Sequence, residues 1–146
     1  MVPLVLKHLN MQNEIDTPIA KLAYNVGENI LYIKIIEGSE MNVNNTIEHY
    51  KLISKVTLNN HYGALIDGEH YIEADNDALK LAACPEILGK RIATAHFSTN
   101  IANKLTVLFF KNNIKPGIPI EYFRTEKDAV GWLKSKILEF SLNERL

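Results

Sequence analysis

The residues whose side chains could carry chemistry collect after three short apolar segments that have the pattern of β-strands. They lie in the groups Asp67-Gly68-Glu69-His70, His96-Phe97-Ser98-Thr99-Asn100 and Phe123-Arg124-Thr125. Ligands of parallel α/β sheets bind beyond the carboxyl ends of the strands, so these groups predict a binding surface, which we call the polar rim. It consists of the loop Asp67–Glu73 and the helix starts beside it, with the candidate residues Asp67, Gly68, Glu69, His70, Asp75, His96, Ser98, Thr99 and Arg124.

The polar rim also has a purely structural interpretation. In that interpretation Ser98 or Thr99 caps the helix that follows, Asp67 braces its own loop, and Arg124 pairs with an acid. Ser and Thr are expected at helix starts in any protein, which favours this interpretation. The free N–H groups at the start of the same helix could instead receive an anion, and the residue types leave both uses open.

The patterns of catalytic and metal sites are missing from the rim. Asp67, Glu69, His70 and His96 offer oxygen and imidazole ligands that suit zinc or manganese, but the spacings typical of metal sites do not occur. Ser98, His96 and Asp67 make a poor catalytic triad, because side chains two apart on a strand share a face and no Gly-x-Ser-x-Gly turn is present. Glycine-rich phosphate-binding motifs are also missing. We therefore predict no catalytic residue, no metal, no cofactor and no enzyme activity.

The elements that must position the rim follow from the spacing of apolar residues. Short β-branched runs predict strands, and apolar steps of three and four residues predict helices. The order is β-β-α-β-α-β-α-β-α, which predicts a single-domain α/β fold with a mixed, mostly parallel sheet and flanking helices. The domain covers residues 17–142, and residues 1–16 form an N-terminal arm. The predicted strands are 19–24, 30–36, 62–67, 91–97 and 120–123; the predicted helices are 43–58, 75–83, one that begins near 101 and one capped by Thr125.

The third predicted helix carries more apolar residues than one buried face needs. Its spacing predicts an inward face made of Ile101, Leu105, Leu108 and Phe109. Val107 and Phe110 then point elsewhere, and this additional apolar surface predicts a homodimer or a contact with another protein.

Composition and charge narrow the classes of function. The chain has 146 residues, of which 47% are hydrophobic, and 16 Lys and Arg against 17 Asp and Glu give a formal net charge of −1. A nucleic-acid partner is not expected, since phosphate contacts need a surplus of basic residues. The single cysteine, Cys84, excludes an internal disulfide framework and a multi-cysteine zinc site. The apolar runs are too short for a signal peptide or a transmembrane segment, so we expect a cytoplasmic protein.

Three stretches carry a resemblance to a known family. They are Tyr62–Gly68, a strand that ends in aspartate; Arg91–Ser98 with Ile101–Leu105 and Phe109-Phe110 after it; and Pro116–Leu133, with an aromatic strand end, a helix cap and an Ala-x-x-Trp-Leu pair. Over residues 17–140 the chain resembles the STAS domain of bacterial anti-sigma-factor antagonists. It is more closely similar to the STAS/SEC14-like small proteins that occur as stand-alone bacterial domains. The resemblance implies a STAS-like fold and a surface that binds a partner.

The chain departs from that family at the regulatory loop. In the regulatory members, a partner kinase phosphorylates a serine or threonine in the loop after the strand that ends in Asp. Here the loop Asp67–Glu73 has no hydroxyl before Tyr71, and Glu69 supplies one negative charge without the acceptor oxygens of a phosphate. We therefore expect that the phosphorylation switch is absent and that a partner-binding surface remains.

Two functions of different classes follow from these observations. The first is a non-enzymatic STAS-like regulatory or protein-interaction module, whose partner is another protein or a second copy of this chain. The alternative is a carrier that holds a small apolar or lipid-like ligand between helix and sheet, which the SEC14-like resemblance implies. A small molecule that co-purifies with the protein would favour the carrier over the module.

Overall fold

The computed structural model describes residues 13–144, and these residues build a six-stranded mixed sheet with helices on both faces. Residues 1–12 and 145–146 lie outside the described range. The strands are β1 (Asn13–Asp16), β2 (Ala20–Asn25), β3 (Ile30–Ile35), β4 (Glu40–Met41), β5 (Tyr62–Asp67), β6 (Glu73–Ala74), β7 (Arg91–Phe97) and β8 (Ile120–Phe123).

The order of strands across the sheet is β1-β2-β3-β5-β7-β8. The pairs β1/β2 and β2/β3 are antiparallel, and the pairs β3/β5, β5/β7 and β7/β8 are parallel. The two short strands β4 and β6 form a separate parallel pair beside the sheet. Parallel neighbours need crossover connections, and helices supply them here.

The helices are α1 (Val43–Val56), α2 (Asn76–Ala82), α3 (Pro85–Leu88), α4 (Ile101–Phe109) and α5 (Glu126–Glu144). Side-chain oxygens of Asn42, Asp75, Asn100 and Thr125 accept hydrogen bonds from backbone N–H groups at the starts of α1, α2, α4 and α5. These residue types are the favoured N-caps, because their short side chains reach the unpaired donors of the first turn. Within residues 13–144 the helices lack the combination of length and apolar character that a membrane crossing requires.

Alternate residues of the central strands pack against different helices. In β3, Leu31 and Ile33 belong to a core shared with α1, α2 and α3, whereas Ile30 belongs to a core shared with α5. In β5, Ala64 and Leu65 divide in the same way. This alternation follows from the two-residue period of a strand, and it gives the sheet two separately packed faces. We call them the α1 face and the α5 face.

The predicted fold class is confirmed, since the sheet is mixed with three of its five pairings parallel. The bounds of β5, β7 and β8 are those predicted from the sequence, and the predicted helix 43–58 ends two residues early, at Val56. The sequence did not predict β4, β6 or α3. It also assigned residues 13–16 to an N-terminal arm, whereas they form the edge strand β1; the rest of that arm lies outside the described residues.

The predicted inward face of α4 is wrong. Leu105 is 62% exposed and Phe109 is 42% exposed, whereas Val107 is buried and Phe110 packs against the core of the α1 face. The physical reason is Asn103, whose buried amide nitrogen donates to two carbonyl oxygens of the loop after β5. Because these hydrogen bonds hold Asn103 on the inner side, Val107 and Phe110, which lie about one and two turns later on that side, also point inward.

Candidate functional site

Hydrogen bonds fix the loop of the predicted polar rim to the neighbouring strands and to α4. Ser98 Oγ donates to the carbonyl oxygen of Gly68 over 2.7 Å. Asn103 Nδ2 donates to the same oxygen over 2.6 Å and to the carbonyl oxygen of His70 over 2.8 Å. The hydroxyl of Tyr122 donates to the carbonyl oxygen of Ser98. The loop after β5 is therefore fixed to β7, β8 and α4 by its backbone.

The caps at the rim differ in part from those expected. Asn100 caps α4, accepting from the N–H groups of Ala102 and Asn103, while Ser98 Oγ accepts from the N–H of Asn100. The expected cap by Ser98 or Thr99 is thus wrong, and Thr99 is exposed. Sequence spacing placed the cap one or two residues early because Ser, Thr and Asn are all good caps.

The other predicted rim residues point in different directions. Asp67 accepts from the N–H of Glu69 over 3.0 Å, which braces the loop as the structural interpretation predicts. Strand alternation puts the side chain of Asp67 on the α5 face, whereas His96 lines a cavity on the α1 face. Asp75 caps α2, and Arg124 is exposed. Across residues 13–144 no three His, Cys, Asp or Glu side chains come together as metal ligands.

A cavity of about 110 Å³ lies on the α1 face, between the sheet and the helices. Most of its wall is apolar. A smaller polar part of the wall, which we call the polar patch, brings together residues from α1 and β7. The apolar wall includes Ile33, Ile66, Leu79, Val107, Phe110 and Ile118, and the polar patch consists of His49, Tyr50, Arg91, Thr94 and His96.

Arg91 is the centre of the polar patch. Its Nε donates to the hydroxyl of Tyr62 over 3.2 Å, and its Nη1 donates to Thr94 Oγ1 over 3.3 Å. The guanidinium carbon lies 5.1 Å from the ring centroid of Tyr50 and 5.6 Å from that of Tyr62. Aromatic faces at this distance stabilise a cation, so the two tyrosines help to hold the charge in the core.

His49 and His96 are neutral at pH 7. Burial and the neighbouring charge of Arg91 lower the pKa of each imidazole to about 3. The tautomer of His49 follows from Thr17, whose Oγ1 lies 2.8 Å from His49 Nδ1 and already accepts from the N–H groups of Ile19 and Ala20. The hydroxyl proton of Thr17 is therefore the one donated to Nδ1, which leaves the ring proton of His49 on Nε2.

Of the polar patch, sequence reasoning named His96 and missed the other four residues, although Arg91 gives a local signal. It opens a strand whose next residues, Ile92, Ala93, Thr94 and Ala95, are small or apolar, and Thr94 is as deeply buried as the core around it. A charged residue in such a strand is rarely buried without a reason. Its contacts with Tyr50 and Tyr62 depend on the packing of α1 against the sheet, and no spacing rule reports that.

Comparison of the sequence with known families identifies the family of the chain. A family model described as a domain of unknown function, DUF7793, matches residues 24–137. The chain belongs to the DUF7793 family. The matched range includes β3, β5, β7 and β8 and the helices that enclose the cavity. The curated proteins contain no match to this DUF7793 chain.

A solved structure supports the STAS-like fold. It is the crystal structure of an uncharacterized protein of the DUF3478 family with a SpoIIAA-like fold, from Shewanella loihica PV-4. The two structures align with a TM-score of 0.53 and 14% sequence identity, over 84% of this chain and 98% of the other. Likeness at that identity concerns the fold alone, which agrees with the SpoIIAA-like architecture of the DUF7793 chain.

Proposed function

We propose that this DUF7793 protein binds a small, largely apolar ligand in the cavity of the α1 face and acts without catalysis. The observation that carries the proposal is the cavity itself, whose wall is apolar except for the polar patch. Ligand sites are typically apolar concavities with a few convergent polar groups that fix orientation. This supports the carrier over the interaction module as the first candidate.

The size of the cavity limits the ligand. An apolar protein cavity of about 150 Å³ stays dry and binds benzene. The cavity here measures about 110 Å³, so the part of a ligand that it encloses is similar in size to one aromatic ring. A longer lipid-like chain would have to displace part of the wall.

Binding of a neutral aromatic ring tests the proposal. We expect toluene to shift the methyl NMR resonances of Val107 and Ile66, which line the cavity. Replacing Val107→Phe fills the space and abolishes the shift at Ile66. Leu105→Phe adds the same ring to the exposed side of the same helix and is the matched control, with binding as in the wild type. Wild-type cavity resonances that do not move with any ring-sized probe at millimolar concentration, charged or neutral, would contradict the proposal.

The interaction module is a second candidate, and the outer side of α4 favours it. Ile101, Leu105 and Phe109 are spaced at four-residue intervals and are 73%, 62% and 42% exposed. An apolar stripe of this kind is typical of a protein contact, including a homodimer. As part of this candidate we keep the bacterial setting that the STAS-like resemblance implies, the cytoplasmic setting expected from the short apolar runs, and a loop without a phosphorylation switch.

Sedimentation equilibrium tests the homodimer. A dimeric mass for the wild type and a monomeric mass for Leu105→Glu would support it, with Lys104→Glu on the same helix as the control for added negative charge. A monomeric mass at all concentrations would contradict it. Phe110→Glu is unsuitable for this test, because Phe110 packs against the core of the α1 face.

A further inference from the structure

The cavity wall carries a positive charge that the described residues do not neutralise. Arg91 is 6% exposed, and its Nη2 is buried without a hydrogen-bond partner. Among the ion pairs formed within residues 13–144, none involves Arg91. A guanidinium stays protonated in proteins, so Arg91 cannot escape the cost of burial by losing its proton.

The neighbours of Arg91 support its charge without cancelling it. Tyr62 and Thr94 accept hydrogen bonds from Nε and Nη1, the rings of Tyr50 and Tyr62 face the guanidinium, and the Tyr50 hydroxyl also interacts with it, while Nη2 has no acceptor within hydrogen-bond distance. All of these groups are neutral. His49 adds no charge at pH 7, because burial and the charge of Arg91 lower its pKa to about 3. The result is an apolar cavity with one charged group that has a donor to spare.

We propose that the ligand is a small monocarboxylic acid, whose carboxylate accepts a hydrogen bond from Arg91 Nη2 and whose apolar body lies against Ile66 and Val107. This inference rests on the proposed ligand-binding function and deepens it. Charge-assisted bonds between guanidinium and carboxylate are among the strongest in proteins, and a carboxylate would give the unpaired Nη2 its acceptor. The ion pair also removes the cost of an isolated buried charge.

Charge matching favours one carboxylate over other anions. A phosphate monoester carries between one and two negative charges at pH 7, more than one guanidinium balances. The neutral ring of His96, whose pKa burial and Arg91 lower to about 3, does not supply the missing positive charge. A hydrocarbon ligand would leave Nη2 of Arg91 without a partner, and a neutral ligand with a carbonyl oxygen would accept its hydrogen bond but leave the charge unbalanced. A monocarboxylate of about ring size therefore fits the volume and the charge together.

The experiment compares benzoate, toluene and phenyl phosphate as probes of the intact protein at pH 7, with dissociation constants from the methyl NMR shifts of Ile66 and Val107. We expect benzoate to bind the wild type at least about tenfold more tightly than toluene, because only benzoate forms the ion pair. Arg91→Met should remove that preference, so that the ratio of benzoate affinity to toluene affinity measured on the variant falls at least about tenfold. Lys90→Met, which removes an exposed neighbouring charge, should behave as the wild type.

The other possible results test the carboxylate assignment and the ligand-binding function separately. Equal affinity of the wild type for benzoate and toluene would overturn the carboxylate assignment and leave the ligand-binding function standing. Tighter binding of phenyl phosphate than of benzoate would overturn it as well. Failure of all three probes to move the cavity resonances would overturn the proposed function and this inference with it. The comparison of probes on the wild-type protein does not depend on whether a variant folds. Arg91→Lys keeps the positive charge but not the planar guanidinium, and we expect it to retain a reduced preference for benzoate over toluene.

Discussion

The two faces of the sheet are packed in opposite ways. On the α5 face, one long helix lies against small residues of β5 and β7, and Leu133 and Ala129 are fully buried. A Cβ at Gly63 would lie 2.8 Å from the nearest side-chain atoms of Leu133 and Ile137, so that face has no room to spare. On the α1 face, several shorter helices leave a cavity of about 110 Å³. One face is closely packed, and the other leaves a cavity beside its helices.

The difference separates the part of the fold with dense packing from the part that contains the cavity. A continuous helix over glycine and alanine gives dense contacts, and dense contacts contribute most to the free energy of unfolding. In a layer of several short helices, gaps form where the ends of the helices meet. Arg91 lies beside such a gap, in the wall of the cavity on the α1 face. Departures from good packing are expected at functional sites.

The largest expected effect comes from truncating a leucine on each face. Leu133→Ala on the α5 face should lower the free energy of unfolding by about 4 kcal/mol, whereas Leu79→Ala on the cavity wall should lower it by about 2 kcal/mol. Both side chains are buried, but Leu79 already borders empty space and loses fewer contacts. Urea unfolding of the two variants measures the difference. Equal losses would contradict the contrast between the faces.

Enlarging an alanine on each face should give effects of opposite sign. Ala129→Leu forces extra atoms into the closely packed α5 face and should cost about 2 kcal/mol. Ala82→Leu extends into the cavity and should raise the free energy of unfolding by about 1 kcal/mol. Thermal and urea unfolding check both values. If Ala82→Leu destabilises as strongly as Ala129→Leu, the α1 face has no usable space, and the ligand-binding proposal weakens with it.

Acid should act on the α1 face through His49. Its pKa is about 3 in the folded protein against 6.5 when exposed, so between these values the unfolded chain binds the extra proton. The free energy of unfolding therefore falls as the pH drops below 6.5, and His49 alone should account for about 1 kcal/mol between pH 7 and pH 5.5. Urea unfolding of the wild type and His49→Gln at both pH values measures this.

The pH prediction has a matched control on the surface. His61 is exposed and stacks on Phe140 with ring centroids 4.8 Å apart. His61→Gln is the same substitution away from the α1 face and controls for the loss of an imidazole as such, whereas His49→Gln should lose part of the pH dependence. An unchanged pH dependence in His49→Gln would show that this imidazole is not a buried neutral group.

The regular elements could be predicted from the sequence because their signals are local. The bounds of β5 and β7 follow from apolar runs that end at turn residues, and Asp75 marks its helix start by residue type. The cavity could not be predicted in this way. Arg91 meets Tyr62 at a separation of 29 residues, and Tyr50 reaches it from α1. Those contacts depend on how a helix layer sits on a sheet, which apolar periodicity does not encode.

The orientation of α4 shows a second limit of sequence patterns. Leu105 and Phe109 are spaced as a buried stripe would be, and counting apolar residues favours them over Asn103 and Val107. Counting apolar residues ignores the two hydrogen bonds that the Asn103 amide donates to the carbonyl oxygens of Gly68 and His70. One buried polar residue with tertiary partners thus set the rotation of the helix.

The smallest expected effect tests that rotation. Leu105→Ser on the outer side of α4 should change the free energy of unfolding by no more than about 0.5 kcal/mol, because the side chain is exposed. Asn103→Leu on the inner side is the contrasting variant, and it should cost about 2 kcal/mol, because the carbonyl oxygen of His70 loses its donor and that of Gly68 keeps only Ser98 Oγ. Urea unfolding of both decides the matter: if Leu105→Ser is the more damaging change, the outer side of α4 is part of a core or of an interface that forms in solution.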